Sequence, residues 1–115
     1  MMLDKGDDRR YIVVIQGIRF EWDTQKSISN EMKHNVSFEE AATVFLDQMY
    51  IEIADPDHSQ GEERYIAYGI SERRRLLAVC HCVLEDEETI RVFSARQATK
   101  NETKQYGEKT NARRI

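Results

Sequence analysis

Side chains that can move protons and bind phosphate gather in one polar stretch, residues 55–65. This stretch places His58, Glu63, Arg64 and Tyr65 around a loop-forming Pro and Gly. Unpaired polar groups are costly away from water, so the stretch is either a solvated connection or the mouth of a site. Because an apolar strand is expected directly after it, its last three residues should sit at a rigid strand start, where functional groups often lie.

The chemistry that suits these residue types is metal-free acid–base catalysis at a phosphate. RNA cleavage needs a base for the 2′-OH proton, a cation for the charge on phosphorus and an acid for the leaving 5′ oxygen. The candidates are, for proton transfer, His34, His58, Glu62, Glu63 and Tyr65, and for phosphate binding, Lys26, Lys33, Arg64, Arg96 and Lys100. Trp22, Tyr65 and Tyr68 are candidates to stack a nucleobase. The alternative interpretation is structural, with Trp22 in the core and the carboxylates solvated.

Other catalytic classes are poorly supported by the motifs. His58, His81, Cys80 and Cys82 are numerous enough for a zinc site, but alternation along a strand sends His81 to the face opposite the two cysteines. We therefore expect reduced thiols and no metal or cofactor. The chain lacks a Gly-x-Ser-x-Gly motif and a glycine-rich phosphate loop, which argues against triad hydrolases and nucleotide-driven enzymes.

Length and charge limit the class of protein. The 115 residues suit one domain, 1–115. No apolar run approaches the roughly 20 residues that cross a bilayer, and the charged start lacks a signal peptide, so a cytoplasmic protein is expected. The net charge is −4, yet residues 91–115 carry seven basic and two acidic side chains. This asymmetry favours an acidic partner or a polyanion, or else describes a solvated helix.

Hydrophobic periodicity predicts the elements that position these residues. Strands are expected over 11–15, 18–22, 50–53, 64–70, 76–84 and 89–96, and helices over 24–33, 37–47 and 99–109. Asp23 should cap the first helix and Asn35 end it, with Ile28 and Met32 on its inward stripe. Ser37 and Thr99 open capping boxes. In the last strand, Arg91, Phe93 and Ala95 should share one face.

The expected fold is α+β, an antiparallel β-sheet with two N-terminal helices and one C-terminal helix packed on it. Short connections between the later strands make neighbours in sequence antiparallel neighbours in space.

Four stretches resemble the BrnT family in their order and spacing. They are Phe20-Glu21-Trp22-Asp23 with Lys26, then Lys33 to Ala41, then Asp55 to Tyr65, and then Ser94 to Thr99. The resemblance implies a bacterial type II toxin that cleaves RNA with a fold similar to the RelE ribonucleases. It also implies a BrnA-type antitoxin as partner, through which operator DNA is contacted only indirectly. Residues 1–18 lie outside the resemblance and are a candidate for an extra strand.

The resemblance places Lys33, His34, Glu63, Arg64, Tyr65 and Arg96 in the catalytic set. In the roles we expect from chemistry, Arg64 and Arg96 hold the scissile phosphate, Glu63 or a histidine takes the 2′-OH proton, and Lys33 adds charge. The RNA-binding set is Trp22, Lys26, His58, Ser94 and Lys100. Asn35 and Arg74 stand where the family often has glycine.

Two other functions remain open on sequence grounds. One is a binding module, in which a catalytically degenerate toxin fold only sequesters a protein partner. The other is a metal-bound regulator that uses His58 and the cysteine pair.

Overall fold

A computed structural model describes residues 9–57, 63–86 and 88–114. Within these ranges the strands are Arg10–Ile15 (β1), Ile18–Asp23 (β2), Ile51–Ala54 (β3), Tyr65–Ile70 (β4), Leu76–Val83 (β5) and Thr89–Gln97 (β6). The helices are Thr24–His34 (α1), Phe38–Ala42 (α2) with a 3₁₀ turn over Thr43–Leu46, and Lys100–Arg114 (α3). Each predicted strand and helix is present, with its ends within a few residues of the expectation except at the end of α3.

The strands form one sheet in the order β1-β2-β6-β5-β4-β3. The α+β class is confirmed, but two details of the expected fold are wrong. The sheet is mixed, because β2 and β6 are parallel while the other neighbours are antiparallel. The helices α1 and α2 are also not N-terminal, since β1 and β2 precede them. A long crossover separates β2 from β6, and such a connection permits parallel pairing.

The first hairpin adds an edge strand that the resemblance did not cover. Ile15 and Ile18 are paired across a two-residue turn in which Gln16 and Gly17 have φ of 51° and 84°. Positive φ at both central positions is the type I′ arrangement, whose twist matches that of the flanking strands. The extra strand considered for residues 1–18 is therefore present as β1.

Local capping explains where the helices begin and end. Asp23 Oδ1 accepts the amides of Gln25 and Lys26 at 2.8 and 3.1 Å, and Asn35 ends α1 with φ of 58°. Ser37 Oγ accepts the Glu40 amide at 3.0 Å. The reciprocal bond from Glu40 to Ser37 is replaced, because the Glu40 carboxylate is buried and accepts hydrogen bonds from Ser71 and Arg75 instead. These caps satisfy amides that a helix start leaves unpaired.

The two faces of the sheet differ in character. The face toward α2 carries the main core, in which Phe20, Phe38, Leu77, Val79 and Val92 are almost fully buried. The opposite face carries Arg10, Arg64, Arg91 and Arg96, and we call it the arginine face. Tyr106 of α3 packs near Tyr68 at one end of this face.

Helix α1 seals the edge of β6 where β2 stops pairing. The β2–β6 register covers only Arg19–Glu21, which leaves the later β6 backbone without a strand partner on that side. Asn30 fills this role: its Oδ1 accepts the Ala95 amide at 3.0 Å, and its Nδ2 donates to the carbonyls of Ala95 and Val36, both at 2.9 Å. Buried backbone groups need such partners.

The expected inward stripe of α1 is wrong. Ile28 and Met32 are 56% and 82% exposed, while the polar Asn30 is buried. The helix contacts a backbone edge rather than an apolar sheet surface, so a polar side chain is the residue that faces inward.

Candidate functional site

The arginine face holds a cation stacked on an aromatic ring. The Arg64 guanidinium carbon lies 3.7 Å from the centroid of Phe93, and Lys26 Nζ lies 5.6 Å from the same centroid. Both cations are attracted by the ring quadrupole, which orients them. The side chains come from three elements, the start of β4, the first turn of α1 and the middle of β6.

A β-bulge at Phe93 determines which side chains reach this face. Cys80 pairs with Ser94 but His81 pairs with Val92, so Phe93 is the extra residue in β6. The expected alternation in β6 is therefore wrong beyond Phe93: Ala95 points into the core and Ser94 and Arg96 join the arginine face. Bulges commonly re-aim side chains next to functional sites. Without this one, Arg96 would face the core.

Arg96 is fixed by the first turn of α3. Its Nη1 and Nη2 donate to the two oxygens of Glu102 at 2.8 and 3.0 Å, and the Tyr68 hydroxyl donates to Glu102 Oε2 at 3.0 Å. Glu102 also completes the predicted capping box with Thr99. The Arg96 hydrogen bonds lower the pKa of Glu102 to about 2, and the same contact raises the pKa of Arg96. Both groups stay charged across the physiological range.

The two ends of the polar stretch 55–65 meet above β5. The Asp55 amide donates to the Arg64 carbonyl at 2.9 Å, and Cys80 Sγ donates to Asp55 Oδ2 at 3.3 Å. Burial first, and then the contact with Asp55, raise the pKa of Cys80 to about 11. A thiol with this pKa stays protonated at neutral pH, so Cys80 is unsuited to act as a nucleophile.

Glu63 and Tyr65 lie together but apart from the Arg64 side chain. The Tyr65 hydroxyl donates to Glu63 Oε1 at 3.0 Å, and this hydrogen bond is the main reason that the pKa of Tyr65 is raised. The Tyr65 ring faces His81, with 6.2 Å between ring centroids. Consecutive strand residues point to opposite faces, so Arg64 and Tyr65 leave the strand start in opposite directions.

Helix α1 brings its lysines, but not its histidine, toward the arginine face. Lys26 and Lys33 are seven residues apart, close to two turns, so they share one side of the helix. His34 is directed about 80° away from Lys26 at 3.6 residues per turn. Lys33 and His34 are both exposed.

The remaining predicted residues have mixed positions. Ser94 is exposed on the arginine face, and Lys100 is exposed at the start of α3. Trp22 is only 3% exposed and its ring packs between those of Tyr11 and Phe38, at 5.2 and 5.8 Å. Such burial leaves no ring face for a nucleobase, so Trp22 is a core residue. His58 and Glu62 lie outside the described residues.

The cysteine pair and His81 diverge as predicted. Cys80 and Cys82 are not in a disulfide, and His81 lies on the other face, where it contacts Phe45 with 4.8 Å between ring centroids. Across residues 9–57, 63–86 and 88–114, no three His, Cys, Asp or Glu side chains are grouped as metal ligands would be.

Sequence comparison identifies the family. Residues 22–102 match the model of a family described as the ribonuclease toxin, BrnT, of type II toxin–antitoxin systems. The chain belongs to the BrnT family. This BrnT-family membership implies an RNA target and an antitoxin partner. No individual curated protein matches the chain.

The residues that match the BrnT family model cover only part of the arginine face. Arg64, Phe93 and Arg96 lie inside the range, whereas β1 lies outside it. Sequence reasoning missed Phe93, because its role depends on a bulge that no local motif announces. Among the described residues, no helix is long and apolar enough to cross a membrane.

Proposed function

We propose that this chain is an endoribonuclease that cleaves RNA without a metal ion on its arginine face. The observation that carries the proposal is the arrangement of Arg64 on Phe93, with Arg96 brought to the same face by the bulge. Guanidinium groups match the geometry of phosphate oxygens and stay charged at all relevant pH values. Arg64 and Arg96 would hold the scissile phosphate.

The two arginines are oriented by different partners. Arg96 is engaged by both oxygens of Glu102, which fixes its direction. Arg64 lies on the Phe93 ring, and this attraction orients its guanidinium along the arginine face. We assign stabilisation of the charge that builds on phosphorus to both arginines.

Proton transfer is not assigned to Glu63 and Tyr65, because these two side chains lie together on the opposite side of the strand start from Arg64. In the cleavage that we propose, a base takes the 2′-OH proton, so that the 2′ oxygen attacks phosphorus and the 5′ oxygen leaves with a proton from an acid. The products would be a 2′,3′-cyclic phosphate and a 5′-hydroxyl end.

Flanking cations would hold the rest of the RNA chain. Lys26 contacts the Phe93 ring, and Lys33 lies on the same side of α1. Ser94 and Lys100 are exposed and lie close to Arg96 in the sequence, and they would contact the RNA backbone. His34 and His58 are our candidates for proton transfer, and His34 is directed about 80° away from the side of α1 that carries Lys26.

The partner that we propose is an acidic, BrnA-type antitoxin. The C-terminal segment is basic, and α3 forms one border of the arginine face through Tyr106 and Glu102. An acidic chain laid over this border would cover Arg64 and exclude RNA. Contact with operator DNA would then be made by the antitoxin.

Expression in a bacterial host tests the function. Wild type should arrest growth, and co-expression of the neighbouring gene should restore it. Arg64→Ala should not arrest growth, whereas Arg73→Ala should, because Arg73 is 67% exposed in the turn before β5. Normal growth under strong expression of wild type would instead favour the binding module.

Total RNA incubated with purified wild type in EDTA should still be cut if no metal is needed.

A further inference from the structure

A basic pocket adjoins the proposed site at the start of α1. Its volume is about 260 Å³, and Phe93 forms part of its wall. Its charged lining consists of Arg9, Arg10, Lys26 and Arg91 together with Glu21 and Asp23. Pockets that enclose whole drug-sized ligands are usually ~300–1,000 Å³, so this one suits a smaller group.

The acidic residues of the pocket are already engaged. Glu21 is 5% exposed and accepts hydrogen bonds from Arg91, including one from Nε at 2.8 Å, while Arg10 Nε lies 4.0 Å away. Asp23 Oδ1 accepts two amides of α1. Within the part of the chain that the structure describes, no carboxylate forms an ion pair with Arg9 or Lys26. Among the described lining residues, four cations face two carboxylates, an excess of two positive charges.

The arginines are held in place by the backbone of the first hairpin. The Thr24 amide donates to the Arg9 carbonyl at 2.6 Å, and Arg10 is paired with Asp23 in the β1–β2 register. Cations on an ordered strand bind an anion at a smaller entropic cost than cations on a mobile tail.

The pocket is continuous with the proposed site through two shared residues. Lys26 and Phe93 line the pocket, and the same Phe93 ring carries Arg64. An RNA strand whose scissile phosphate lies at Arg64 would pass over Lys26 and continue toward Arg9 and Arg10. Basic grooves of this kind follow the backbone of single strands.

We propose that this pocket is a subsite for a phosphate of the RNA chain flanking the scissile one. The inference rests on the proposed function and adds to it, because Arg9 and Arg10 lie outside residues 22–102 that match the family. The N-terminal hairpin would thereby extend the substrate that this chain holds. Arg9 and Arg10 would act in binding, through the phosphate oxygens, and not in bond cleavage.

The test measures affinity for a 12-residue 2′-O-methyl RNA, which lacks the attacking hydroxyl, by fluorescence anisotropy at several salt concentrations. Arg9→Ala/Arg10→Ala should bind about 10-fold more weakly at 0.1 M salt, and the slope of log K against log salt should fall by about 0.7 for each phosphate that the variant no longer neutralises. The matched control, Arg73→Ala/Arg74→Gly, also removes two guanidinium groups, in the turn before β5, and should bind like wild type.

Two further measurements separate this subsite from the nuclease. Cleavage of a dinucleotide, too short to reach the pocket, should be unchanged in Arg9→Ala/Arg10→Ala. If wild type cleaves RNA but the two double variants bind equally well, the subsite is overturned and the nuclease stands. If wild type cuts nothing yet the selective loss of affinity is found, the nuclease fails and the subsite stands.

A gain-of-affinity variant covers the case in which the double alanine variant does not fold. Glu21→Gln removes the negative charge that engages Arg91 and Arg10 and should strengthen RNA binding several-fold. Unchanged or weaker binding by a folded Glu21→Gln protein would overturn the subsite. Absence of RNA binding by wild type would overturn it as well.

Discussion

The guanidinium of Arg64 lies over the ring of Phe93, with 3.7 Å between its central carbon and the ring centroid. This contact joins the start of β4 to the bulge of β6 across the intervening β5. A cation–π contact is worth ~0.5–2 kcal/mol depending on its burial. Here its consequence is orientation, because it directs the cation of a polar loop along the arginine face.

Loss of the Phe93 ring should reduce activity more than stability. Phe93→Leu keeps an apolar side chain but removes the attraction for Arg64 and Lys26. We expect RNA cleavage to fall about 10-fold, which corresponds to roughly 1.4 kcal/mol of transition-state stabilisation. The measurement is kcat/KM for RNA cleavage and the urea midpoint of unfolding, each determined for the variant and for wild type. The control is Phe93→Tyr, which keeps a ring and should retain most of the activity. Equal activity of the Leu variant and wild type would show that the ring does not position Arg64.

Acid should weaken the protein through Glu102. The folded-state pKa of this carboxyl is lowered to about 2 from an ordinary 4.5, so its stabilisation is present above the unfolded pKa and is lost as pH falls toward 2. This lowering of the pKa corresponds to at most about 3 kcal/mol in the free energy of unfolding. Urea unfolding between pH 2 and 7 should show a steeper loss for wild type than for Glu102→Gln. Parallel pH profiles would contradict this role of Glu102.

Asn30→Ala should destabilise the protein by about 2–4 kcal/mol, because the buried amide and carbonyl of Ala95 both lose their partner. Ser29→Ala, one residue away and exposed, serves as the control and should change little. Hydrogen exchange at the Ala95 amide should be faster in the Asn30 variant. Protection equal to wild type would mean that another group satisfies the edge of β6.

Arg74→Gly should stabilise the protein. Arg74 has φ of 65°, a left-handed conformation that costs an L-residue with a Cβ roughly 1 kcal/mol. Glycine also makes the unfolded chain more flexible, which offsets part of this gain. The expected net increase in the free energy of unfolding is therefore about 0.5 kcal/mol or less. Arg74→Val should instead be destabilising, since β-branched residues rarely adopt positive φ. The urea midpoints of the three proteins give the order, and a Val variant as stable as the Gly variant would contradict it.

Cys80 should react slowly with iodoacetamide at pH 8. Burial and the contact with Asp55 raise its pKa to about 11, so little thiolate is present. Asp55→Asn removes the negative charge and should speed alkylation at Cys80, as followed by mass spectrometry of the folded protein. Cys82 is 3% exposed and serves as the internal reference. Fast reaction of wild-type Cys80 would contradict the raised pKa.

Local features of the fold could be predicted because their causes are local. Asp23, Asn35 and the Thr99–Glu102 pair act within a few residues of themselves, so their residue types suffice to place helix ends. The parallel pairing of β2 and β6 could not be predicted in this way. The relative direction of these two strands depends on how the long segment between them packs. No short connection joins the two strands and fixes that direction.

The errors at the site have similar causes. Alternation along β6 failed at Phe93, because a bulge inserts one residue and reverses the faces beyond it. The inward stripe of α1 failed because Asn30, rather than Ile28 or Met32, meets the backbone edge of β6. Arg64 and Arg96 were identified as phosphate-binding candidates from residue type and resemblance, and their partners, Phe93 and Glu102, became visible only in three dimensions.

The most direct test of a phosphate site on the arginine face measures cleavage of RNA by purified protein in EDTA, comparing wild type with Arg64→Ala, Arg96→Ala and the control Arg73→Ala. We predict a loss of about 100-fold or more in kcat/KM for Arg64→Ala, a loss for Arg96→Ala as well and an unchanged value for the control. Cleavage at the wild-type rate by both Arg64→Ala and Arg96→Ala would contradict such a site.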